Sequence, residues 1–212
     1  MFVGERMSRP VITVQPETTL EQALEIMRKQ RVQRLPVVNR RGELVGIIPE
    51  RVILRALPSD ATTLSVWEER SVVSKLTVSK YMSENVVTVT EDTPIEEAAR
   101  LMDDHHFSGL PVMRGDALVG FISQRDIFTA FLELMGARDD GIRVTAMVAR
   151  QPGVIMSISK AIYELGGDIV SLGTSAGDTS ETAELTFKVA GVEKEALIRW
   201  ISPHIEKLVD VR

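Results

Sequence analysis

The feature that most constrains this chain is an internal duplication. Residues 7–54 recur, with substitutions, as residues 82–128. The matching segments are Met7-Ser8 with Met82-Ser83, Leu35-Pro36-Val37 with Leu110-Pro111-Val112, and Leu44-Val45-Gly46 with Leu118-Val119-Gly120. Two copies of one folding unit usually pack about a pseudo-twofold axis, and the seam between them is a natural place for paired ligand clefts. The duplication therefore predicts two similar units whose packing creates the candidate binding sites.

The composition is that of an ordinary soluble globular protein of 212 residues, with 44% hydrophobic residues. The net charge of −5 argues against a large nucleic-acid or anionic-membrane footprint. The absence of cysteine excludes disulfides, thiolate metal ligands and cysteine nucleophiles. Because the sequence has neither a long apolar run nor a signal-peptide pattern, we expect a cytoplasmic protein with no membrane or nucleic-acid partner.

Each copy predicts the element order β-α-β-β-α. A β-branched strand leads to a helix whose start carries Thr three residues before Glu, the pattern of a capping box. Apolar residues then recur at helical spacing, and two strands joined by a Gly-containing turn precede a closing helix. The predicted positions in repeat one (residues 7–57) are Val11–Val14, a helix starting at Thr18-x-x-Glu21, Leu35–Val38, Leu44–Ile48 and Glu50–Ala56. Those in repeat two (residues 82–135) are Val86–Val89, a helix starting at Thr93-x-x-Glu96 with Pro94 at its first position, Leu110–Met113, Leu118–Ile122 and Gln124–Met135.

The rest of the chain predicts a connecting segment and a second domain. Between the repeats, Ser65–Glu68 is expected to be partly helical and ordered, since Trp67 and Leu76 need burial. After residue 136 a polar break, Gly136–Gly141, separates residues 1–136 from residues 142–212. The latter predict the ferredoxin-like order β-α-β-β-α-β, with helices on one sheet face. The predicted fold class is α+β (mixed α/β), and the other sheet face requires water, a ligand or a second chain.

The clearest chemical candidate is Ser123-Gln124-Arg125-Asp126, where the last strand of repeat two meets its helix. The Ser123 hydroxyl and the helix-start amides suit a phosphate, and Arg125 could add a charge-assisted contact. The Asp126 carboxylate could accept both hydroxyls of a ribose. The alternative is an ordinary helix cap, which the same Ser-x-x-Asp spacing also satisfies. Repeat one has Pro49-Glu50-Arg51-Val52 here, so its cleft is either empty, weak or used by another ligand.

Both repeats resemble CBS motifs, and the tandem pair resembles a Bateman module. The residues that carry the resemblance are the Met-Ser start, the Val-x-Thr-Val strand, the segments Val32–Pro36 and Phe107–Pro111, and the Leu-Val-Gly before the last strand. The resemblance implies regulatory binding of AMP, ADP, ATP or S-adenosylmethionine between the motifs. It places Asp126 on the ribose and Ser123 near phosphate. It assigns the adenine pocket to Val87, Thr88, Phe107 and Pro111.

Residues 142–212 resemble an ACT domain through Pro152-Gly153-Val154 and the segment from Gly166 to Val170. Arg150 and Asp168 depart from the amino-acid-binding pattern of that family, so we expect mainly an assembly surface. A CBS pair followed by an ACT domain resembles the AcuB family of acetoin-utilisation proteins. This resemblance implies a role in acetoin or related carbon metabolism, with an unidentified enzyme as the regulated partner.

These observations predict a non-catalytic sensor that binds an adenine nucleotide and forms a homodimer. The closing helix of repeat two supports dimerisation, because it spaces Ile127, Phe128, Phe131 and Leu134 on an apolar face. Two alternatives remain: a structural dimerisation subunit without a ligand, and an enzyme acting on a nucleotide. No catalytic residue or metal site is predicted, since His105 and His106 are adjacent on a helix and diverge. Arg31 and Arg34 are further candidates to line a nucleotide cleft, although surface arginines are more often simply solvated.

Overall fold

The computed structural model describes residues 1–57 and 76–212, which divide into two compact units, Met1–Ile127 and Phe128–Arg212. The helix predicted around Ser65–Glu68 lies outside the described residues. None of the helices in the described ranges is long and apolar enough to cross a membrane.

The first unit holds both repeats, and the predicted strand–strand–helix core is present in each. Repeat one and its leading segment contain α1 (Val3–Arg6), α2 (Leu20–Gln30), β1 (Arg34–Val38), β2 (Leu44–Pro49) and α3 (Glu50–Ala56). Repeat two and its leading segment contain a 3₁₀ turn (Val78–Lys80), β3 (Val89–Thr90), α4 (Ile95–Asp104), β4 (Gly109–Arg114), β5 (Ala117–Ser123) and the start of α5 (Gln124–Leu134). In both repeats an antiparallel hairpin, β1–β2 or β4–β5, forms the centre.

The predicted first strand of each repeat is much shorter than its β-branched run suggests. In repeat two only Val89 and Thr90 pair, parallel to Val112 and Met113 of β4. In repeat one the corresponding residue, Val14, makes a single parallel bridge to Val37. The residues directly before these positions make no strand pairing, and the next pairing upstream, at Ser8 and Ser83, is with the other repeat.

The leading segments of the two repeats are exchanged. Ser8, at the start of repeat one, pairs with Phe121 of β5, where the Ser8 amide donates to the Phe121 carbonyl at 2.8 Å. Ser83, at the start of repeat two, pairs in the same way with Ile47 of β2, with both hydrogen bonds at 2.9 Å. Each repeat thus extends the hairpin of the other, which ties the pair into one unit.

The same exchange continues upstream, where Val3 and Val78 are fully buried. The Val3 amide donates to the Thr93 carbonyl, and the Val78 amide donates to the Thr18 carbonyl, each at 2.9 Å. Val3 belongs to the apolar core of repeat two, and Val78 belongs to the core of repeat one. Neither repeat therefore has a complete hydrophobic core without the segment that precedes its sister.

The repeated Met and Gly residues are partners across this exchange. Met7 packs in the core of repeat two over Gly120, so that a Cβ on Gly120 would overlap the Met7 Sδ. Met82 lies in the same way over Gly46, where a Cβ would come within 2.6 Å of its Sδ. The Leu-Val-Gly motif thus keeps glycine because a methionine from the other repeat occupies the side-chain space.

The predicted capping boxes are wrong by one residue in α2 and absent in α4. Thr19, not Thr18, caps α2, because its hydroxyl accepts from the Gln22 amide while the Gln22 side chain accepts from the Thr19 amide. Pro94 is the N-cap of α4 and not its first helical residue. Thr18 and Thr93 instead accept hydrogen bonds from the amides three residues earlier, Gln15 and Thr90. Their hydroxyls close the turns that precede the helices.

The second unit has the predicted β-α-β-β-α-β order. Its elements are β6 (Ile142–Ala149), α6 (Val154–Glu164), β7 (Asp168–Ala176), β8 (Thr182–Ala190), α7 (Lys194–Ile201) and β9 (Lys207–Val211). The strands form one antiparallel sheet in the order β7-β8-β6-β9. Residues from alternating strand positions and both helices form a single apolar core around Phe187.

The segment predicted as a linker is part of this second unit. The Lys188 Nζ donates to the carbonyls of Gly136 at 2.7 Å and Asp139 at 2.8 Å. Gly136 has a positive φ of 56°, and a Cβ there would lie 2.8 Å from a Val170 methyl. The structural boundary consequently falls inside α5, at residues 127 and 128, because the helix end and the following turn pack on the strands of the second unit.

We expect Gly120→Ala to destabilise the first unit by about 1–3 kcal/mol, because the added methyl overpacks against Met7. Combining it with Met7→Ala should cost less than the sum of the two single substitutions, since the methyl then enters a vacated space. Denaturant unfolding of the four proteins measures this coupling. Strict additivity would contradict the proposed contact.

Stability should also depend on the charge of Glu91. Its carboxylate accepts from Arg114 Nε at 2.6 Å and from Arg9 at 2.8 Å. These partners hold the pKa of Glu91 below its ordinary 4.5, the hydrogen bond from Arg114 being the main cause. The stabilisation is therefore present above about pH 4.5 and is lost as pH falls through the lowered folded pKa.

Thermal melting between pH 7 and pH 3 checks this effect. The melting temperature of the wild-type chain should fall more steeply below about pH 4.5 than that of Glu91→Gln. Glu25→Gln, which alters an exposed carboxylate on α2, serves as the control and should follow the wild-type curve. Identical slopes for the wild type and Glu91→Gln would refute the assignment.

Candidate functional site

The candidate site begins at the junction of β5 and α5. Here the Asp126 Oδ2 accepts from the Ser123 amide at 2.8 Å and from the Ser123 hydroxyl at 2.6 Å. The Asp126 amide approaches the same hydroxyl at 3.4 Å. The ordinary cap predicted as the alternative is therefore present, and it fixes the carboxylate at the helix start. The Ser123 hydroxyl is directed to Asp126, so its first role is to position that carboxylate.

A cavity of about 550 Å3 opens at this junction. Ser123, Arg125 and Asp126, which were predicted together, all line it. The cavity also takes in residues from the leading segment and helix–strand turn of repeat one and from the hairpin of repeat two: Ser8, Pro10, Val11, Ile12, Gln30, Arg31, Val32, Gln33, Arg34, Pro36, Ser108, Phe121 and Gln124. It is thus built from both repeats, with apolar side chains, an aromatic ring, several cations and one carboxylate.

The exchange of leading segments explains this composition. Because Ser8 pairs with Phe121 of β5, the chain that follows it, Pro10–Ile12, passes the end of β5 where Ser123 begins the junction. The repeat-one residues Ile12, Val32 and Pro36 consequently lie on the cavity with Asp126.

The four residues predicted for the adenine pocket do not line this cavity. Val87 and Phe107 are partly buried against the core of repeat two, Pro111 is buried and Thr88 is exposed. Val87, Phe107 and Pro111 are the repeat-two counterparts of Ile12, Val32 and Pro36, which do line it. By the same exchange, Ser83 pairs with Ile47 of β2, which directs the following segment toward the repeat-one junction. The sequence predicts an adenine pocket and a ribose acceptor from the same repeat. In the cavity, the apolar residues of repeat one lie with Asp126 of repeat two.

The junction of repeat one is chemically different. Pro49 is the N-cap of α3 and offers no side-chain hydrogen bond, and Val52 offers no acceptor. The Glu50 amide donates to the Gln33 carbonyl at 2.9 Å, so the helix start is held by backbone instead. The helix is preserved and the polar side-chain pair is lost, as the sequence predicts.

Arg34 is the most constrained cation of the cavity. Its Nε donates to the Ser108 Oγ at 2.6 Å, and its guanidinium lies 5.8 Å from the centroid of the Phe107 ring. Burial lowers the pKa of Arg34, with the nearby positive charge of Arg51 as the second cause. Arg31 and Arg34 thus line the cavity, while Ser108 and Phe121 had not been singled out. The signal for Ser108 was its place just before Gly109-Leu110-Pro111, which corresponds to the Arg34-Leu35-Pro36 region of repeat one.

A model of the CBS domain family matches residues 3–59 and 78–133, which is more than half of the chain. The chain belongs to the CBS-domain family. The two matched ranges are the two repeats with their leading segments, so the exchanged segments are part of each CBS domain.

Two relatives place this CBS pair in different contexts. A CBS domain-containing protein of Dictyostelium discoideum is 30% identical over 136 residues, covering 64% of this chain and 94% of that protein. The L-aspartate semialdehyde sulfurtransferase of Methanocaldococcus jannaschii is 31% identical over 131 residues, which is 61% of this chain but only 23% of the enzyme.

Three solved structures are similar to the CBS pair. The CBS domain pair of protein MJ0100, in complex with 5'-methylthioadenosine and S-adenosyl-L-methionine, is 29% identical with a TM-score of 0.53, covering 66% of this chain and 98% of that one. CBSX2 in complex with AMP is 29% identical with a TM-score of 0.53, over 63% and 97%. A Vibrio cholerae protein described as acetoin utilization protein AcuB is 26% identical with a TM-score of 0.54, over 66% and 96%.

Proposed function

We propose that this chain is a non-catalytic regulatory protein whose CBS pair binds an adenosine-containing ligand in the cavity at Asp126. The observation that carries the proposal is a carboxylate, fixed by Ser123, on a cavity of about 550 Å3 shared by the two repeats. Two similar CBS pairs are described in complex with adenosine compounds, namely AMP in one and S-adenosyl-L-methionine with 5'-methylthioadenosine in the other.

Each part of an adenosine ligand has matching chemistry in the cavity. Asp126 would accept the ribose hydroxyls, because an ionised carboxylate is an acceptor-only group with two oxygens. Ile12, Pro36 and the Phe121 ring offer apolar surface for the adenine. Arg125 would contact phosphate, while Ser123 holds the carboxylate in place. Val87, Thr88, Phe107 and Pro111 would serve the second cleft, whose ligand is weaker because the repeat-one junction has no acceptor.

An enzymatic function is the weaker alternative. The relatives named as enzymes share only part of their length with this chain, 23% for the sulfurtransferase and 34% for the inosine-5'-monophosphate dehydrogenase of Aquifex aeolicus. Their activities belong to the whole proteins. Turnover of a bound nucleotide by the purified chain would favour the enzyme.

We assign the second unit to an ACT-type assembly module on its β-α-β-β-α-β order and four-stranded sheet. Arg150 and Asp168 differ from the amino-acid-binding pattern of ACT domains, which favours assembly over amino-acid sensing. The similarity to the Vibrio cholerae AcuB protein supports a regulatory role in acetoin or related carbon metabolism, exerted on a partner enzyme.

We further assign the exposed apolar face of α5 to a homodimer interface. Phe128, Phe131 and Leu134 are 59%, 54% and 58% exposed, at helical spacing, whereas Ile127 packs partly against the core. Leu54, which occupies the position of Phe128 in the repeat-one helix, is also 51% exposed. Such a face is unusually apolar for a free surface, and a twofold axis would use it twice. Ligand bound at the start of α5 would then bias the arrangement of the dimer.

Asp126→Ala should weaken binding of AMP by at least about tenfold, because it removes charge-assisted hydrogen bonds to the ribose. It should also lower stability by about 1 kcal/mol, since the cap is lost. Asp126→Glu separates the two effects: it keeps a Ser-x-x-Glu cap but displaces the carboxylate by one methylene, so stability should stay and affinity should fall.

Isothermal titration calorimetry and thermal melting measure the two quantities. Asp116→Ala, which removes the same charge from the exposed β4–β5 turn, is the matched control and should bind normally. Unchanged AMP affinity in both Asp126 variants would disprove the site. Failure of AMP, ADP, ATP and S-adenosylmethionine to bind the wild-type chain would favour the structural subunit.

Phe131→Glu should convert the dimer to a monomer, because a charge at a twofold apolar interface is buried twice without a partner. Light scattering coupled to size exclusion gives the mass. Phe2→Glu, at an exposed aromatic residue of the first unit away from α5, is the control and should leave the dimer intact. A wild-type monomer would rule out the interface.

A further inference from the structure

Arg34 is a half-buried cation whose contacts are with neutral groups. Its Nε donates to the Ser108 hydroxyl at 2.6 Å, and its guanidinium faces the Phe107 ring. Within residues 1–57 and 76–212, Arg34 takes part in no ion pair. Removing a cation from water without a counterion is unfavourable, so this arrangement favours any anion that reaches it.

A second cation, Arg51, adds to the positive charge around Arg34. Arg34 begins β1 and pairs in register with Pro49, the residue that caps α3. Arg51 follows in the first turn of that helix, and its charge lowers the pKa of Arg34. Arg51 does not line the cavity, so it adds positive charge near Arg34 without offering a direct contact to a ligand there.

Ser108 connects Arg34 to the helix that carries Asp126. Ser108 accepts from Arg34 with its hydroxyl, and its carbonyl accepts from the Gln124 amide at 3.0 Å, in the first turn of α5. Arg34 and Asp126 also line the same cavity. A ligand whose ribose lies on Asp126 therefore shares its cavity with the guanidinium of Arg34.

The two repeats contribute unequally to this arrangement. The position of Arg34 is occupied in repeat two by Gly109, where a Cβ would come within 2.5 Å of the Phe121 ring. The acceptor Asp126 exists only at the repeat-two junction, whereas the position of Val52 in repeat one has none. Repeat one supplies no carboxylate to the cavity and contributes Arg31 and Arg34 beside neutral polar groups, so the charge that it adds there is positive.

We propose that Arg34 selects a phosphorylated adenine nucleotide over S-adenosylmethionine in this cavity. The inference rests on the proposed function and narrows its ligand class. A phosphate carries at least one full negative charge and accepts the paired N–H groups of a guanidinium, whereas the sulfonium of S-adenosylmethionine brings a positive charge to the same region. Affinity should rise from adenosine to AMP to ATP as phosphate charge increases.

Titration calorimetry of the full chain with ATP, AMP, adenosine and S-adenosylmethionine tests this. In the wild type, AMP and ATP should bind at least about tenfold tighter than adenosine or S-adenosylmethionine, the gain expected from a charge-assisted contact. Arg34→Gln should reduce that difference by at least about threefold, with Arg125 supplying the remainder, while adenosine affinity changes by about twofold or less. Arg34→Lys keeps the charge without the planar fork and should retain part of it.

Arg28→Gln is the matched control, because it removes an exposed charge from α2 outside the cavity and should preserve the preference for phosphate. Thermal melting establishes that each variant is folded. The inference is wrong if the wild-type chain binds S-adenosylmethionine as tightly as ATP, or if Arg34→Gln keeps the full preference for phosphate. Either result would still be compatible with the proposed function as an adenosine-binding sensor. Absence of binding by all four ligands would overturn the proposed function itself.

Discussion

The reciprocal exchange of leading segments is the interaction on which the first unit depends. Each repeat forms a small hairpin with two helices, and its own residues leave its core incomplete. Val3 and Met7 complete the core of repeat two, and Val78 completes that of repeat one. The backbone pairing of Ser8 with Phe121 and of Ser83 with Ile47 then locks the register. Burial of apolar side chains supplies the driving force, while the paired backbone groups make the arrangement specific.

The exchange also decides where chemistry is possible. The cavity at Asp126 forms where the leading segment of repeat one passes the strand–helix junction of repeat two, so it requires residues from both repeats. The two junctions began as copies and now differ: one presents a fixed carboxylate at Asp126, and the other presents Pro49 and Val52 beside a cationic Arg51. A pseudo-symmetric fold thus carries an asymmetric pair of clefts, since fold-determining residues and site residues occupy different positions of the repeat.

Helix α5 links the candidate site to the rest of the chain through its own length. Its first turn carries Asp126, and the turn that follows its end is held by hydrogen bonds from Lys188 to the carbonyls of Gly136 and Asp139. Between these ends its outer face exposes Phe128 and Phe131. A ligand changes a conformational equilibrium only by binding one state better than another. Helix α5 thus contributes Asp126 to the cavity and, further along its length, Phe128 and Phe131 to an exposed apolar face.

The sequence by itself determined the repeat, the order of strands and helices in both units and the chemical contrast between the two junctions. These are local properties, because they depend on the spacing of apolar residues, on the residues of turns and on the presence or absence of a carboxylate. Each of them can be identified from a short stretch of sequence. The predicted cap of α2 was one residue away from the observed one, because Thr18 and Thr19 can both act as caps and only the turn before the helix separates their roles. Only the tertiary structure decided that Ile12 and Pro36, and not Val87 and Pro111, share a cavity with Asp126. The physical reason is that a leading segment has the same local pattern whether it packs on its own repeat or on the other one. Which repeat it packs on depends on placing Met7 and Met82 over glycines that are distant in sequence.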